Sequence, residues 1–188
     1  QIPLLLSIGE EDNALIKAVE SGDTDLVYLV LFHIWEKRAP LDFFSTIQAR
    51  PLARDLFISY ARCYKHEFLK DFFLSTGQIQ DVAFLLWKES WEQSKNPIKG
   101  HRIMVIKKAA DLFKNTKEHI FEAKAAEEHA ELLKIQHELE ATTKQAIFVD
   151  SSISDTIRTC IALGNHHAAN KLKATFKVSE KRWYWLKV

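Results

Sequence analysis

The sequence predicts an all-α protein, read as an irregular α-solenoid of stacked antiparallel helix hairpins with one long central helix. Three observations predict it. Only five Gly and four Pro occur in 188 residues, and most fall at junctions between periodic segments. The stretch Lys117–Thr143 contains neither residue and keeps a helical period throughout. Finally, three junctions look alike, ESGDTDLVYLV, LSTGQIQDVAFLL and IALGNHHAANKL. In each, a helix ends on Gly22, Gly77 or Gly164, polar residues follow, and the next helix opens with small and aliphatic side chains. These glycines lie 55 and 87 residues apart, which excludes a strict tetratricopeptide period of about 34 and suits hairpins of unequal length.

Taken in order, QIPLLLSIG reads as a short apolar entry broken by Pro3, and Asp12 or Asn13 can cap a first helix that Gly22 ends. The next helix starts with Asp23 or Thr24 as cap and is apolar on nearly every side from Leu26 to Trp35, the mark of burial between neighbours. Pro40 and Pro51 each open a further helix, because a first turn tolerates the missing N–H. HEFLKDFFLS is closed by Gly77, and IQDVAFLLWKESWEQS follows with a broad apolar face. KNPIKG, residues 95–100, combines Asn-Pro, Gly and two lysines and reads as an exposed linker between an N-terminal half, 1–94, and a C-terminal half, 101–188. After it come HRIMVIKKAADLFKN, the long helix, a break near IFVDSS, and three shorter helices, about ten or eleven helices in all.

In the long helix Phe121, Ala125, Leu132, Ile135 and Leu139 form one stripe, with Glu128 in its register, while Glu118, Glu122, Glu127, Glu131, Lys134 and Glu140 face elsewhere. At roughly 1.5 Å per residue it extends about 40 Å, so both of its sides require neighbours.

Composition excludes several functions. The 26 basic and 25 acidic residues are interspersed and give a net charge of +1, leaving no electrostatic footprint for nucleic acid. The longest apolar run, Leu26 to Phe32, falls far short of the roughly 20 residues of a membrane span, so no direct membrane insertion is expected. Cys63 and Cys160 lack a CxxC partner and read as reduced core thiols in a cytosolic protein. A start at Gln1 without methionine and an end at Val188 within an amphipathic segment suggest a piece of a longer chain.

No catalytic signature is present: GxxxxGK, GxGxxG and GxSxG are all missing, so no enzyme, cofactor or metal is expected. His129 and His137, eight apart, sit about 80° off a common face and outside the HExxH or ExxH spacings. His166 and His167 read as a helix start. Glu127, Glu128 and Glu131 share their helix with Lys124 and Lys134 and read as a solvated face rather than an acid/base pair. Trp183, Tyr184 and Trp185, beside Lys181 and Arg182, read as residues shared between core and a protein interface.

Five separated segments then carry a family resemblance: ESGDTDLVYLV, HEFLKDFF, KAAEEHAELLKIQHELE, DTIRTCIALGNHHAANKL and KRWYWLKV. Together they resemble the C-terminal region of vacuolar protein sorting subunit sixteen, a class C core subunit of the HOPS and CORVET tethering complexes, with wording closest to the plant form. The resemblance implies a non-enzymatic scaffold, cytoplasmic and peripheral on late endosome and vacuole or lysosome membranes. It implies docking of the Sec1/Munc18-like class C subunit thirty-three by residues 101–188, contact with other HOPS and CORVET subunits, and service to SNAREs indirectly through that partner. It further places partner-binding residues on the long helix and the last helix, at Ala125, Glu128, Arg182 and Trp183. A coat-type α-solenoid acting in self-assembly or adaptor contact is the alternative.

Overall fold

The structure, a computed structural model, describes residues 1–92 and 100–188. Among them the regular elements are twelve α-helices and one 3-10 turn, with no strand. The helices are α1 (Ile2–Ser7), α2 (Glu11–Ser21), α3 (Thr24–Lys37), α4 (Pro40–Gln48), α5 (Pro51–Tyr64), α6 (His66–Ser75), α7 (Ile79–Glu92), α8 (His101–Phe113), α9 (Ile120–Thr143), α10 (Ile153–Ala162), α11 (His166–Thr175) and α12 (Glu180–Lys187). An all-α protein is therefore what the chain forms, with slightly more helices than its breakers suggest. The expected linker at 95–100 lies, Gly100 apart, outside the described residues. Two compact units are formed, Gln1–Ile79 and Gln80–Val188.

Local chemistry explains most helix ends. Pro40 and Pro51 occupy first turns, and the Asp23 carboxylate accepts from the N–H groups of Asp25 at 2.9 Å and Leu26 at 3.3 Å. Ser152 and Asn165 cap α10 and α11 in the same way. Gly22, Gly77 and Gly164 have φ of 70°, 73° and 72°, the left-handed conformation that a side chain resists. At the last two, the following N–H reaches back to the last turn, Gln78 to the Phe73 carbonyl and Asn165 to that of Cys160, both at 2.8 Å. Two start signals differ from expectation. The entry is itself a helix, α1, because Pro3 sits in its first turn and lacks only an N–H that would have no partner there. In consequence α2 begins at Glu11, ahead of the expected caps Asp12 and Asn13.

The first unit is built on aromatic packing. Phe43, Phe57 and Phe72 are buried; Phe57 meets Phe43 edge-on at 5.2 Å and Phe72 at 5.6 Å, and Trp35 stacks on Phe68 at 4.6 Å. Helix α3 is not enclosed on every side as its composition suggests. Val27, Val30, Leu31 and Ile34 are buried, whereas Leu29 is 49% exposed and Tyr28, Phe32 and Trp35 are half-buried. Arg38, at the end of α3, donates to Glu11 at 3.0 Å and to the Thr46 hydroxyl at 2.8 Å, pinning α2 and α4 to it. Cys63 is exposed rather than in the core, since it lies on the outer side of α5; Cys160 is buried, and burial raises its thiol pKa.

The second unit is organised by α9. The stripe expected from Phe121 to Leu139 is buried only in its C-terminal half, where Leu132, Ile135 and Leu139 pack with Ile157, Cys160, Leu172, Trp183 and Leu186 of α10–α12. Nearer its start α9 buries a different face. Ala126, Ala130 and Leu133 pack on Ile106 and Ala110 of α8. At about 100° per residue these positions fall roughly opposite the Leu132–Ile135–Leu139 stripe. Small alanine side chains leave this seam little side-chain bulk to separate α8 from α9.

Polar side chains fix the connection between α9 and α10. One Glu140 oxygen accepts from the N–H groups of Phe148 at 2.8 Å and Val149 at 2.9 Å. The Gln136 amide donates to the Ser151 carbonyl at 2.8 Å and to the buried Thr156 hydroxyl at 2.9 Å. Arg102, buried on α8, donates to Asp150 at 2.6 Å. Helix α7 closes the other side: the Trp87 indole N–H donates to His129 Nδ1 at 3.0 Å, and Trp91 stacks on the same imidazole at 4.4 Å. Burial first, then the positive charge of Arg102, hold the His129 pKa at about 4, while Asp150 acts in the opposite sense.

Two outcomes follow for this unit. Replacing Ala126 by Leu overfills the α8–α9 seam and should cost about 1–3 kcal/mol in urea-induced unfolding followed by circular dichroism. His129 is neutral in the folded chain and gains a proton near its ordinary pKa of 6.5 only on unfolding, so it favours the unfolded state increasingly as pH falls from 6.5 toward about 4. His129→Gln should therefore show a shallower loss of unfolding free energy than the wild type between pH 6.5 and 5; equal slopes would dismiss this imidazole as the titrating group.

Candidate partner-docking surface

Ala125 and Glu128 lie on the N-terminal half of α9, on the same stripe as Leu132, Ile135 and Leu139 but beyond the reach of α10–α12. Ala125 is half-buried and Glu128 exposed. One turn earlier Phe121 is 81% exposed, and Ile120 beside it is 62% exposed. The stripe thus changes along the helix from covered to open, while its chemistry stays apolar apart from Glu128. Carboxylates border the open part: Glu127 pairs with Lys114 at 2.5 Å, and Glu122 lies 3.5 Å from His119. Glu128 has no ion-pair partner among the described residues.

Arg182 and Trp183 are consecutive on α12 and so face different directions. The Ser179 hydroxyl caps this helix by accepting from the Arg182 N–H at 3.4 Å, which sets its first turn. Trp183 and Leu186, three apart, are both buried at 7% exposure in the cluster that holds the C-terminal half of α9. The ammonium groups of Lys173 and Lys187 lie 5.2 Å and 5.0 Å from the Trp183 ring centroid. Arg182 is exposed, and its guanidinium donates to the Ser154 hydroxyl on α10 at 2.5 Å. The expected sharing between core and surface therefore divides by residue: Trp183 belongs to the core, and Tyr184 and Trp185, 69% and 65% exposed, face outward.

Two pairs thus emerge, Ala125 with Glu128 and Arg182 with Trp183, and no hydrogen bond or ion pair joins them among the described residues. Phe121 belongs with the first pair. Sequence periodicity assigns it to the core because it continues the Leu132–Leu139 stripe; only the place where α10–α12 return decides otherwise. Of the histidines, His129 is held between Trp87 and Trp91. Among the described residues no group of three or more His, Cys, Asp or Glu side chains could hold a metal ion.

Comparison with known proteins bears out the resemblance read from the sequence. Residues 1–188 match the family described as Vps16, C-terminal region. The chain is 74% identical over 194 residues to the protein VACUOLELESS1 of Arabidopsis thaliana, covering all of this chain and 23% of that protein. It is 31% identical over 192 residues to the vacuolar protein sorting-associated protein 16 homolog of Dictyostelium discoideum, again covering 23% of it, and 24% identical over 188 residues to the Drosophila melanogaster homolog. The chain spans less than a quarter of the length of these relatives. With its whole length matched, the chain belongs to the Vps16 C-terminal region family.

Proposed function

We propose that this chain is the helical, solenoid-type segment of a vacuolar-sorting tethering subunit of the HOPS and CORVET kind. In this reading it docks a Sec1/Munc18-like partner, class C subunit thirty-three, for SNARE-mediated fusion at endosome and vacuole or lysosome membranes. Family membership and the relatives' names support the pathway. No described helix is long and apolar enough to cross a membrane, in keeping with a peripheral position. A scaffold also suits the polar chemistry of the second unit: Glu140, Gln136 and Arg102 are committed to holding the α9–α10 connection.

One observation supports the docking face most directly, the open end of the α9 stripe. Covering the Phe121 ring would contribute about 1.5–3 kcal/mol, and the small Ala125 beside it allows a partner's backbone or a bulky anchor to come close. Glu128 would add a polar contact within this surface and Arg182 a separate one on α12, where Trp183 would hold the helix, and so Arg182, in place from within. A partner that covers Phe121 supplies on the N-terminal half of α9 what α10–α12 supply on its C-terminal half.

Ala125→Asp should leave the melting temperature almost unchanged, since aspartate at a half-buried helix position costs under about 1 kcal/mol of helix propensity. The same change should abolish binding of the purified Sec1/Munc18 partner in calorimetry, because it puts an unpaired charge into a dry contact. Arg182→Glu should weaken that binding by more than the roughly 1 kcal/mol of an exposed ion pair. If either variant stays helical and binds like the wild type, its residue lies outside the interface.

A further inference from the structure

In the first unit, helices α3 and α5 leave between them an open cleft lined by Phe32, Trp35, Glu36, Tyr60 and Lys65. Tyr60 stands steeply to the other two rings, meeting Phe32 edge-on at 4.9 Å and 66° and Trp35 at 6.3 Å and 85°, while Phe32 and Trp35 lie side by side at 6.2 Å, tilted by 32°. Packing beneath holds them in place, Trp35 against Phe68 at 4.6 Å and Phe57 at 5.8 Å, and Phe32 against Tyr28 at 5.9 Å. Rigid, half-buried rings in such a wall present their negative faces to a cation, and quaternary ammonium groups are the cations best suited to them, being large and weakly hydrated.

The two charges of the cleft narrow the ligand. Glu36 and Lys65 are both exposed, and neither side chain has a hydrogen-bond or ion-pair partner among the described residues. Lys65 would repel a simple cation and Glu36 a simple anion. A zwitterion that joins a quaternary ammonium to a phosphate satisfies both, the ammonium against the rings and Glu36, the phosphate against the Lys65 ammonium. We propose that this cleft binds the phosphocholine headgroup of a choline phospholipid at a bilayer surface. Its rim fits that source. Tyr64, 70% exposed and 5.1 Å from Tyr60, extends the cleft with the kind of amphipathic side chain that settles at a membrane interface. The inference is independent of the docking surface on α9, which lies in the other unit.

The test uses the whole chain and two exposed-site variants, Glu36→Gln and Lys65→Ala, with helicity checked by circular dichroism. Calorimetric titration with free phosphocholine should show saturable binding in the wild type. Each variant should weaken it about fivefold, and phosphoethanolamine should bind about tenfold more weakly because its primary ammonium is more strongly hydrated. In flotation, phosphatidylcholine vesicles should carry the wild type upward and free phosphocholine should release it. Absence of saturable phosphocholine binding, or equal affinities in wild type and variants, would overturn the site. Binding of free phosphocholine without recruitment to vesicles would overturn the lipid source. Recruitment by phosphatidylglycerol vesicles alone would show general charge attraction and would overturn both.

Discussion

Helix α9 has to bury two opposite faces, and the second unit is arranged around that requirement. Its alanine face takes α8 along the N-terminal half, and its Leu132–Ile135–Leu139 face takes α10–α12 along the C-terminal half. A helix held from both sides is difficult to displace, because small residues on one seam and branched ones on the other leave little room for rotation or sliding. The same division leaves a stretch of apolar stripe uncovered near the start of the helix. Stability and the candidate docking surface are thus two results of one geometry.

Polar chemistry completes that arrangement where apolar packing cannot. The connection from α9 to α10 reverses the chain through Asp150 in a left-handed conformation, φ 70°, which a residue other than glycine adopts at some cost. Arg102, Gln136 and Glu140 offset it by bonding the connection from three positions on α8 and α9. Their bonds set Phe148 into the cluster of α10–α12 and Val149 against that of α8. Breaking one of these bonds would therefore loosen both packed faces, since a buried polar group without its partner costs about 1–3 kcal/mol.

The candidate surface illustrates what a linear pattern can and cannot reveal. Ala125 and Glu128 lie on a stripe visible from spacing alone, and Arg182 and Trp183 on a helix start marked by Ser179. Spacing does not separate Phe121, which is open, from Leu139, which is closed, since both occupy equivalent positions of the same period. His129 makes the same point. Its tryptophan neighbours precede it by 42 and 38 positions on another helix, so neither its neutral state nor its place in the core has a local signal. The cleft in the first unit is likewise assembled from α3 and α5, and its rings individually resemble ordinary core aromatics.

What the sequence determined by itself is everything governed by neighbours along the chain. It specified the all-α class, the helix starts at Pro40, Pro51 and Asp23, the stops at Gly22, Gly77 and Gly164, and the family, because propensity, capping and left-handed glycines act within a few residues. Tertiary structure alone decided which side of each helix meets another. It turned the first half of α9 about its axis relative to expectation, opened Phe121 to solvent, brought Cys63 to the surface and enclosed His129. The physical reason is that a helix with apolar residues on two sides has no single preferred inward direction; the choice falls to whichever neighbours return to pack on it, and their return is set by turns and contacts tens of residues away.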